Sequence, residues 1–166
     1  MMPVYAVPAH ESNIRRDAVI LDTNVLVAAF CPQDQNHEDA RYFIDEWAGP
    51  FVVPIAVLIE AWGMIVGSQK YWPGALQLLL WLTTPGTAEL LPQGATRIDE
   101  TTVMVSSIRV DCVDVLISHL ADDISRQCEF DPHIKVATYD TRDILKCRER
   151  SGLQLQILDM RSWDAY

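Results

Sequence analysis

The sequence has 166 residues, about the length of one domain, and its 49% hydrophobic and 22% charged residues are typical of a folded, soluble chain. The formal net charge of −10 argues against a protein that binds nucleic acid passively by neutralising phosphates, so any chemistry on phosphates must recruit metal cations. The longest apolar runs fall well short of the roughly 18 residues of a membrane span.

The domain organisation predicted from the sequence is simple. Residues 1–17 lack a basic segment followed by an apolar one, so we expect a polar N-terminal extension rather than a signal peptide. Residues 18–166 contain no internal repeat or linker and are predicted to form a single domain. The four scattered cysteines include no C-x-x-C pair, which predicts a reduced, cytoplasmic protein.

The first predicted element is a buried strand that ends in an acid. Residues 18–21 are apolar and rich in β-branching, and they lead into Asp22 and then a helix over residues 24–30. In an open α/β sheet, ligands bind beyond the carboxyl ends of the strands. Asp22 is therefore either a partly dry carboxylate that needs a cation or donor, or merely the cap of the helix that follows.

A second helix, a second strand and a third helix follow. They are predicted over residues 37–47, 51–53 and 55–66. Glu60 is the only charge in the third helix, and a charge buried without a partner is costly. We interpret Glu60 as a functional group that needs a partner; the alternative is that it projects into solvent.

The middle of the chain carries less chemistry. A helix over residues 71–81 is rich in leucine and tryptophan, which form either core or a surface for a partner. A short third strand is predicted at residues 89–91 and a helix over residues 97–110.

Two acids three residues apart open the next helix. Asp111 and Asp114 then lie on one helix face near its first turn. We interpret Asp111 as the N-cap. A position near the positive end of the helix also suits Asp114, but we interpret Asp114 as a site residue because the fold brings it to the same edge as other acids.

The fourth strand also ends beside an acid. It is predicted over residues 134–138, and Asp140 follows it. The alternative for Asp140 is an N-cap of the helix over residues 141–150, with Asp143 completing a capping arrangement. An edge strand over residues 153–158 is the last predicted element.

This alternation of strands and helices indicates an α/β fold with a mostly parallel sheet covered on both faces. Asp22 and Asp140 then meet at the crevice, and Glu60 and Asp114 lean over the same edge. Four converging carboxylates repel one another unless cations neutralise them, and oxygen ligands suit Mg²⁺ or Mn²⁺. Such a site suits two-metal hydrolysis of phosphodiesters.

Four short motifs occur in this order along residues 18–158. They are Leu21-Asp22-Thr23-Asn24, Glu60 in the helix after Pro54, Asp114-Val115-Leu116-Ile117, and Thr138-Tyr139-Asp140. In this combination the chain resembles the PIN domain nucleases, and among them the toxins of VapC-type toxin and antitoxin pairs.

The resemblance implies a three-layer α/β/α sandwich with about five mostly parallel strands, and a metal-dependent endonuclease that cuts single-stranded RNA by attack of water. The metal-binding acids implied for Mg²⁺ or Mn²⁺ are Asp22, Glu60, Asp114 and Asp140. Residues implied to contact those acids or the phosphate are Thr23, Asn24 and Thr138, with Asp143 as a further candidate. The implied partners are an RNA substrate, an antitoxin protein and a second copy of the chain in a homodimer.

Other interpretations stay open at this stage. The protein is a stand-alone PIN protein if it has no antitoxin, or an interaction module if the acids bind no metal. Arg142 and Lys146 lie with two more arginines on the last helix, where they either contact RNA or favour the helix C-terminus. An aspartate-dependent phosphatase is disfavoured because Asn24 stands two residues after Asp22, where that chemistry needs a second aspartate.

Overall fold

The computed structural model describes residues 17–91, 97–129 and 132–165, so the predicted N-terminal extension lies outside the described residues except for Asp17. Strands and helices alternate in the predicted order. The strands are β1 (Val19–Leu21), β2 (Phe51–Pro54), β3 (Ala88–Leu91), β4 (Lys135–Thr138) and β5 (Gln156–Asp159). The α-helices are α1 (Thr23–Phe30), α2 (His37–Glu46), α3 (Ile55–Gly63), α4 (Trp72–Thr83), α5 (Ile98–Ile108), α6 (Cys112–Gln127) and α7 (Thr141–Ser151). A π-helical turn (Met64–Ser68) follows α3, and a 3-10 segment (Met160–Ala165) follows β5.

The five strands form one sheet in the order β3-β2-β1-β4-β5, and every pairing is parallel. The chain runs outward from β1 to β3 and then returns to place β4 on the other side of β1. Because crossovers between parallel strands are right-handed, this reversal puts α1 to α4 on one face and α5 to α7 on the other. Most helix–helix contacts lie within these two groups, with α3 also contacting α6, and the predicted α/β sandwich is confirmed.

The sequences of β1 and β2 are uninterrupted apolar runs because both strands are buried. All residues of β1 and β2 are buried, as is expected of parallel strands covered by helices on both faces. Within the described segments, no helix is both long and apolar enough to cross a membrane.

Two elements differ from their predicted bounds. The helix expected over residues 55–66 changes to π geometry after Gly63, where two glycines within five residues weaken a regular helix. The last strand begins at Gln156 rather than at residue 153, because the Gln154 backbone N–H donates to Oδ1 of Asp122 at 2.6 Å, outside the strand ladder.

Candidate active site

The candidate site lies where the direction of strand addition reverses. β1 and β4 are neighbours at this switch point, and their carboxyl ends carry Asp22 and Asp140. The Asp22 backbone N–H donates to the Ala137 carbonyl at 3.1 Å, which ties the two strand ends together. Ligand sites in open α/β sheets form in this position.

Asp22 is the most enclosed acid of the site, with 3% of its surface exposed. It caps α1, since the Thr23 backbone N–H donates to its Oδ1 at 2.6 Å. Its Oδ2 accepts from Nδ2 of Asn24 at 2.7 Å and from the Thr138 hydroxyl at 2.6 Å. Both interpretations of Asp22 therefore hold together, because the same carboxylate caps a helix and stands dry at the switch point.

Burial raises the pKa of Asp22 from 3.8 to about 6, and the negative charge of Glu60 adds to the rise. The hydrogen bonds from Thr138, Thr23 and Asn24 act in the opposite direction because they stabilise the carboxylate. The protein thus supplies donors to Asp22 without fully compensating its desolvation.

Asn24 and Thr138 connect the loops that follow β1 and β4. Nδ2 of Asn24 also donates to the Thr138 hydroxyl oxygen at 3.0 Å, and its Oδ1 accepts from the Tyr139 backbone N–H at 3.0 Å. The Asp140 backbone N–H donates to the Thr138 hydroxyl oxygen at 3.0 Å. These contacts fix the backbone on both sides of the crevice.

Glu60 reaches the site from α3. Its Oε2 accepts from the Thr23 hydroxyl at 2.5 Å, so the predicted need for a partner is met by a neutral donor next to Asp22. The side chain is only partly buried.

Asp114 lies in the first turn of α6, after Asp111, whose carboxylate accepts from the Val113 backbone N–H as the expected N-cap. The pKa of Asp114 is raised to about 7, mainly by burial and in addition by the charges of Asp22, Asp111, Asp143 and Glu60. Carboxylates at the starts of α1 and α6 and in α3 and α7 therefore act on Asp114, as carboxylates drawn together for a cation do.

Asp140 has a different environment. Its side chain is 55% exposed, caps α7 by accepting from the Arg142 backbone N–H, and lies 3.6 Å from the Arg142 guanidinium. It is not among the main contributors to the raised pKa of Asp22 or Asp114. Its assignment as a metal-binding acid stays a prediction.

Asp143, one turn further on, is the α7 acid that acts on Asp114. Its Oδ1 accepts from Nζ of Lys146 at 2.6 Å, and Nε of Arg142 lies at 3.4 Å. It does not complete a capping box, because the Asp140 backbone N–H is taken by Thr138.

The carboxylate oxygens of these acids are suitable ligands for a divalent cation, although the side chains do not surround a common point. In the part of the chain that the structure describes, no group of three His, Cys, Asp or Glu side chains is placed to hold a metal ion. No described lysine or arginine forms an ion pair with Asp22, Glu60 or Asp114. Hard oxygen donors without cationic partners suit Mg²⁺ or Mn²⁺, provided that Glu60 and Asp143 turn from their present hydrogen bonds.

Two polar clusters were missed in the sequence. Asp122 is buried, and its carboxylate pairs with Arg97 at 3.0 Å and Arg126 at 2.9 Å, of which only the i,i+4 spacing to Arg126 is visible in the sequence. Near the site, Asp39 accepts from the Tyr139 hydroxyl at 2.6 Å and from the Trp163 indole at 3.0 Å. No local pattern predicts these three elements to meet.

The fold defines this chain as an α/β sandwich of the PIN-like class. Among solved structures, the chain is similar to the crystal structure of Mycobacterium tuberculosis VapC20, described as a toxin that cleaves the sarcin-ricin loop. The TM-score is 0.57 and the identity 14%, over 71% of this chain and 86% of that one, so the likeness shows the fold alone. No family model and no curated protein matches the sequence.

Proposed function

We propose that the protein is a metal-dependent endoribonuclease that hydrolyses RNA phosphodiester bonds. The observation that carries this proposal is the group of mutually repelling carboxylates around Asp22 and Asp114 at the switch point of the sheet. The PIN-like fold, shared with a ribonuclease toxin, supports the same class of reaction.

The chain's own residues would prepare the reaction by fixing and polarising the crevice. Asp22, Glu60, Asp114 and Asp140 would hold Mg²⁺ or Mn²⁺, with Asp143 as a further ligand. A bound cation would supply positive charge that polarises the phosphate and acidifies a water molecule.

Orientation of the acids would come from neutral donors. The Thr138 hydroxyl and Nδ2 of Asn24 hold one oxygen of Asp22, and the Thr23 N–H holds the other, so the carboxylate cannot rotate freely. The Thr23 hydroxyl holds Glu60 beside Asp22 in the present arrangement, and Glu60 would turn from it to bind a cation. A rigid ligand such as Asp22 lowers the cost of assembling a metal site.

The test is cleavage of a labelled single-stranded RNA by the purified protein with Mn²⁺ and with EDTA. We expect cleavage only with Mn²⁺, and loss of more than about a hundredfold in Asp22→Asn. The matched control is Asp45→Asn, which changes an exposed acid on α2 paired with Arg41. Cleavage that survives EDTA, or a wild type inert with Mn²⁺, would contradict the proposal.

A homodimer built on α4 is part of the proposal. Trp72, Leu76, Leu79 and Leu80 form one exposed stripe along this helix, and Leu80 is 67% exposed. A toxin role, an antitoxin partner and a cytoplasmic location are likewise proposed, on the likeness to a VapC protein and the predicted reduced state of the cysteines.

The same stripe favours a second candidate function. If the acids bind no metal, the protein acts as an interaction module through α4. Calorimetric titration with Mn²⁺ separates the two, because a module has no reason to hold the ion.

A further inference from the structure

The helix that begins at the candidate site carries a lysine bonded to one of the site's acids. Nζ of Lys146 lies 2.6 Å from Oδ1 of Asp143, and the Arg142 guanidinium lies 3.4 Å from the same oxygen. Asp143 is only 18% exposed, whereas Lys146 is 42% exposed. The acid is thus largely enclosed and its cation can move into solvent.

This pair differs from an ordinary surface ion pair in where the acid acts. α7 packs against α6, where Cys147 contacts Ser118. Asp143 and Asp114 lie one turn before these two residues on their helices, so both acids lie at the same end of the helix pair. The charge of Asp143 also adds to the raised pKa of Asp114. Side chains in a helix lean toward its N-terminus, so Lys146 reaches back along α7 toward the end of α7 that lies at the sheet edge.

We propose that Lys146 is an exchangeable counter-ion of the site, which pairs with Asp143 until a divalent cation binds there and then contacts a phosphate of the RNA substrate. The inference rests on the proposed function. Each charged group keeps a partner of opposite charge. The divalent cation replaces the ammonium at Asp143, and the ammonium then pairs with a phosphate of the RNA.

The proposed exchange predicts that Lys146→Met strengthens Mn²⁺ binding and weakens RNA binding. Lys146→Met removes the competitor for Asp143, so Mn²⁺ should bind up to about fivefold more tightly, the range expected for loss of an exposed ion pair. The same substitution removes the phosphate contact, so KM for RNA should rise. A salt bridge that only stabilised α7 would change neither constant.

The experiment is calorimetric titration of the full chain with Mn²⁺ alone, together with steady-state cleavage of single-stranded RNA. Arg150→Met is the matched control, because it removes the same charge one turn further along α7, where no described acid pairs with it. Lys146→Met is also made in an Asp143→Asn background, where the direct competition is absent and the substitution should leave Mn²⁺ affinity unchanged.

The inference is supported if Lys146→Met tightens Mn²⁺ binding and raises KM while Arg150→Met changes neither. Unchanged Mn²⁺ affinity in Lys146→Met, or equal tightening in the Asp143→Asn background, overturns the exchange. An unchanged KM overturns the phosphate contact. If the exchange or the phosphate contact is overturned but wild type still binds Mn²⁺ and cuts RNA, the proposed function is unaffected. If neither wild type nor Lys146→Met binds Mn²⁺, the proposed function and the inference are both refuted.

Discussion

Asp22→Asn should stabilise the metal-free protein at pH 8, and it should abolish RNA cleavage in the presence of Mn²⁺. The ionised carboxylate is destabilising because burial raises its pKa from 3.8 to about 6. The difference between these values corresponds to roughly 3 kcal/mol of folding free energy lost when Asp22 is ionised in the folded state.

The sign of the pH dependence follows from the raised pKa. The protonated form of Asp22 favours the folded state, so its contribution to stability is fully present below about pH 4 and is lost as the pH rises to about 6. Asparagine does not titrate. With its Oδ1 toward Asn24 and Thr138, its amide nitrogen would face the Thr23 backbone N–H, a donor that then loses its acceptor at a cost of about 1 kcal/mol. The variant should therefore be about 2 kcal/mol more stable than wild type at pH 8 and slightly less stable at pH 4.

The assay is urea denaturation of the EDTA-treated protein at pH 4 and pH 8. Asp45→Asn is the control, since loss of an exposed pair should change stability little at either pH. If the free energy of unfolding differs between Asp22→Asn and wild type by the same amount at both pH values, the effect is unrelated to ionisation of Asp22. The prediction is then wrong.

Further predictions concern the support of the site, the core, the metal and the α4 surface. Thr138→Val should destabilise the protein by about 1 to 3 kcal/mol in urea, because the buried carboxylate of Asp22 loses a donor, and Thr138→Ser should restore it. Asp122→Asn should destabilise by about 1 to 3 kcal/mol, because Arg97 and Arg126 lose charge-assisted bonds while Arg97 keeps Glu100 and Asp123, yet leave RNA cleavage by the folded protein intact. Mn²⁺ affinity measured by calorimetry should rise with pH through about 7, because Asp114 must lose its proton to bind the ion. Leu80→Glu should convert a dimer to a monomer in light scattering.

Each of these predictions has an outcome that would contradict it. Equal stability of Thr138→Val and wild type would mean that water replaces the hydroxyl. Cleavage lost in folded Asp122→Asn would give that acid a role in the site. Mn²⁺ affinity independent of pH would leave Asp114 out of the metal site, and an unaltered mass of Leu80→Glu would exclude this face of α4 from the dimer.

Much of the fold could be predicted because its signals are local. Buried parallel strands are continuous apolar runs, and Asp22 and Asp111 follow capping rules that act over two or three residues. The late start of β5 at Gln156 depends on a contact with the distant Asp122, and the π-helical turn after Gly63 follows from glycines that weaken the helix. Apolar periodicity shows neither, so it placed those ends wrongly.

The site could be predicted only in part for the same reason. The edge of the sheet follows from topology, but the link from Thr138 to Asp22 joins residues 116 positions apart. The sequence and the family resemblance favour Asp140 as the metal-binding acid and Asp143 only as a further candidate. Packing decides that Asp143 is enclosed beside Lys146 while Asp140 is exposed beside Arg142, and no spacing rule states this.

The proposal that the acids around Asp114 form a metal-dependent ribonuclease site is tested most directly by RNA cleavage with Mn²⁺. Asp114→Asn and Asp111→Asn are measured side by side. The two substitutions make the same chemical change three residues apart on one helix. Asp114 is partly buried among the acids of the crevice, whereas Asp111 is the exposed N-cap, whose charge adds to the raised pKa of Asp114. Asp114→Asn should lose cleavage by more than about a hundredfold. Asp111→Asn should keep cleavage and lose only about 1 kcal/mol of stability. Equal cleavage by wild type and Asp114→Asn would contradict the proposal.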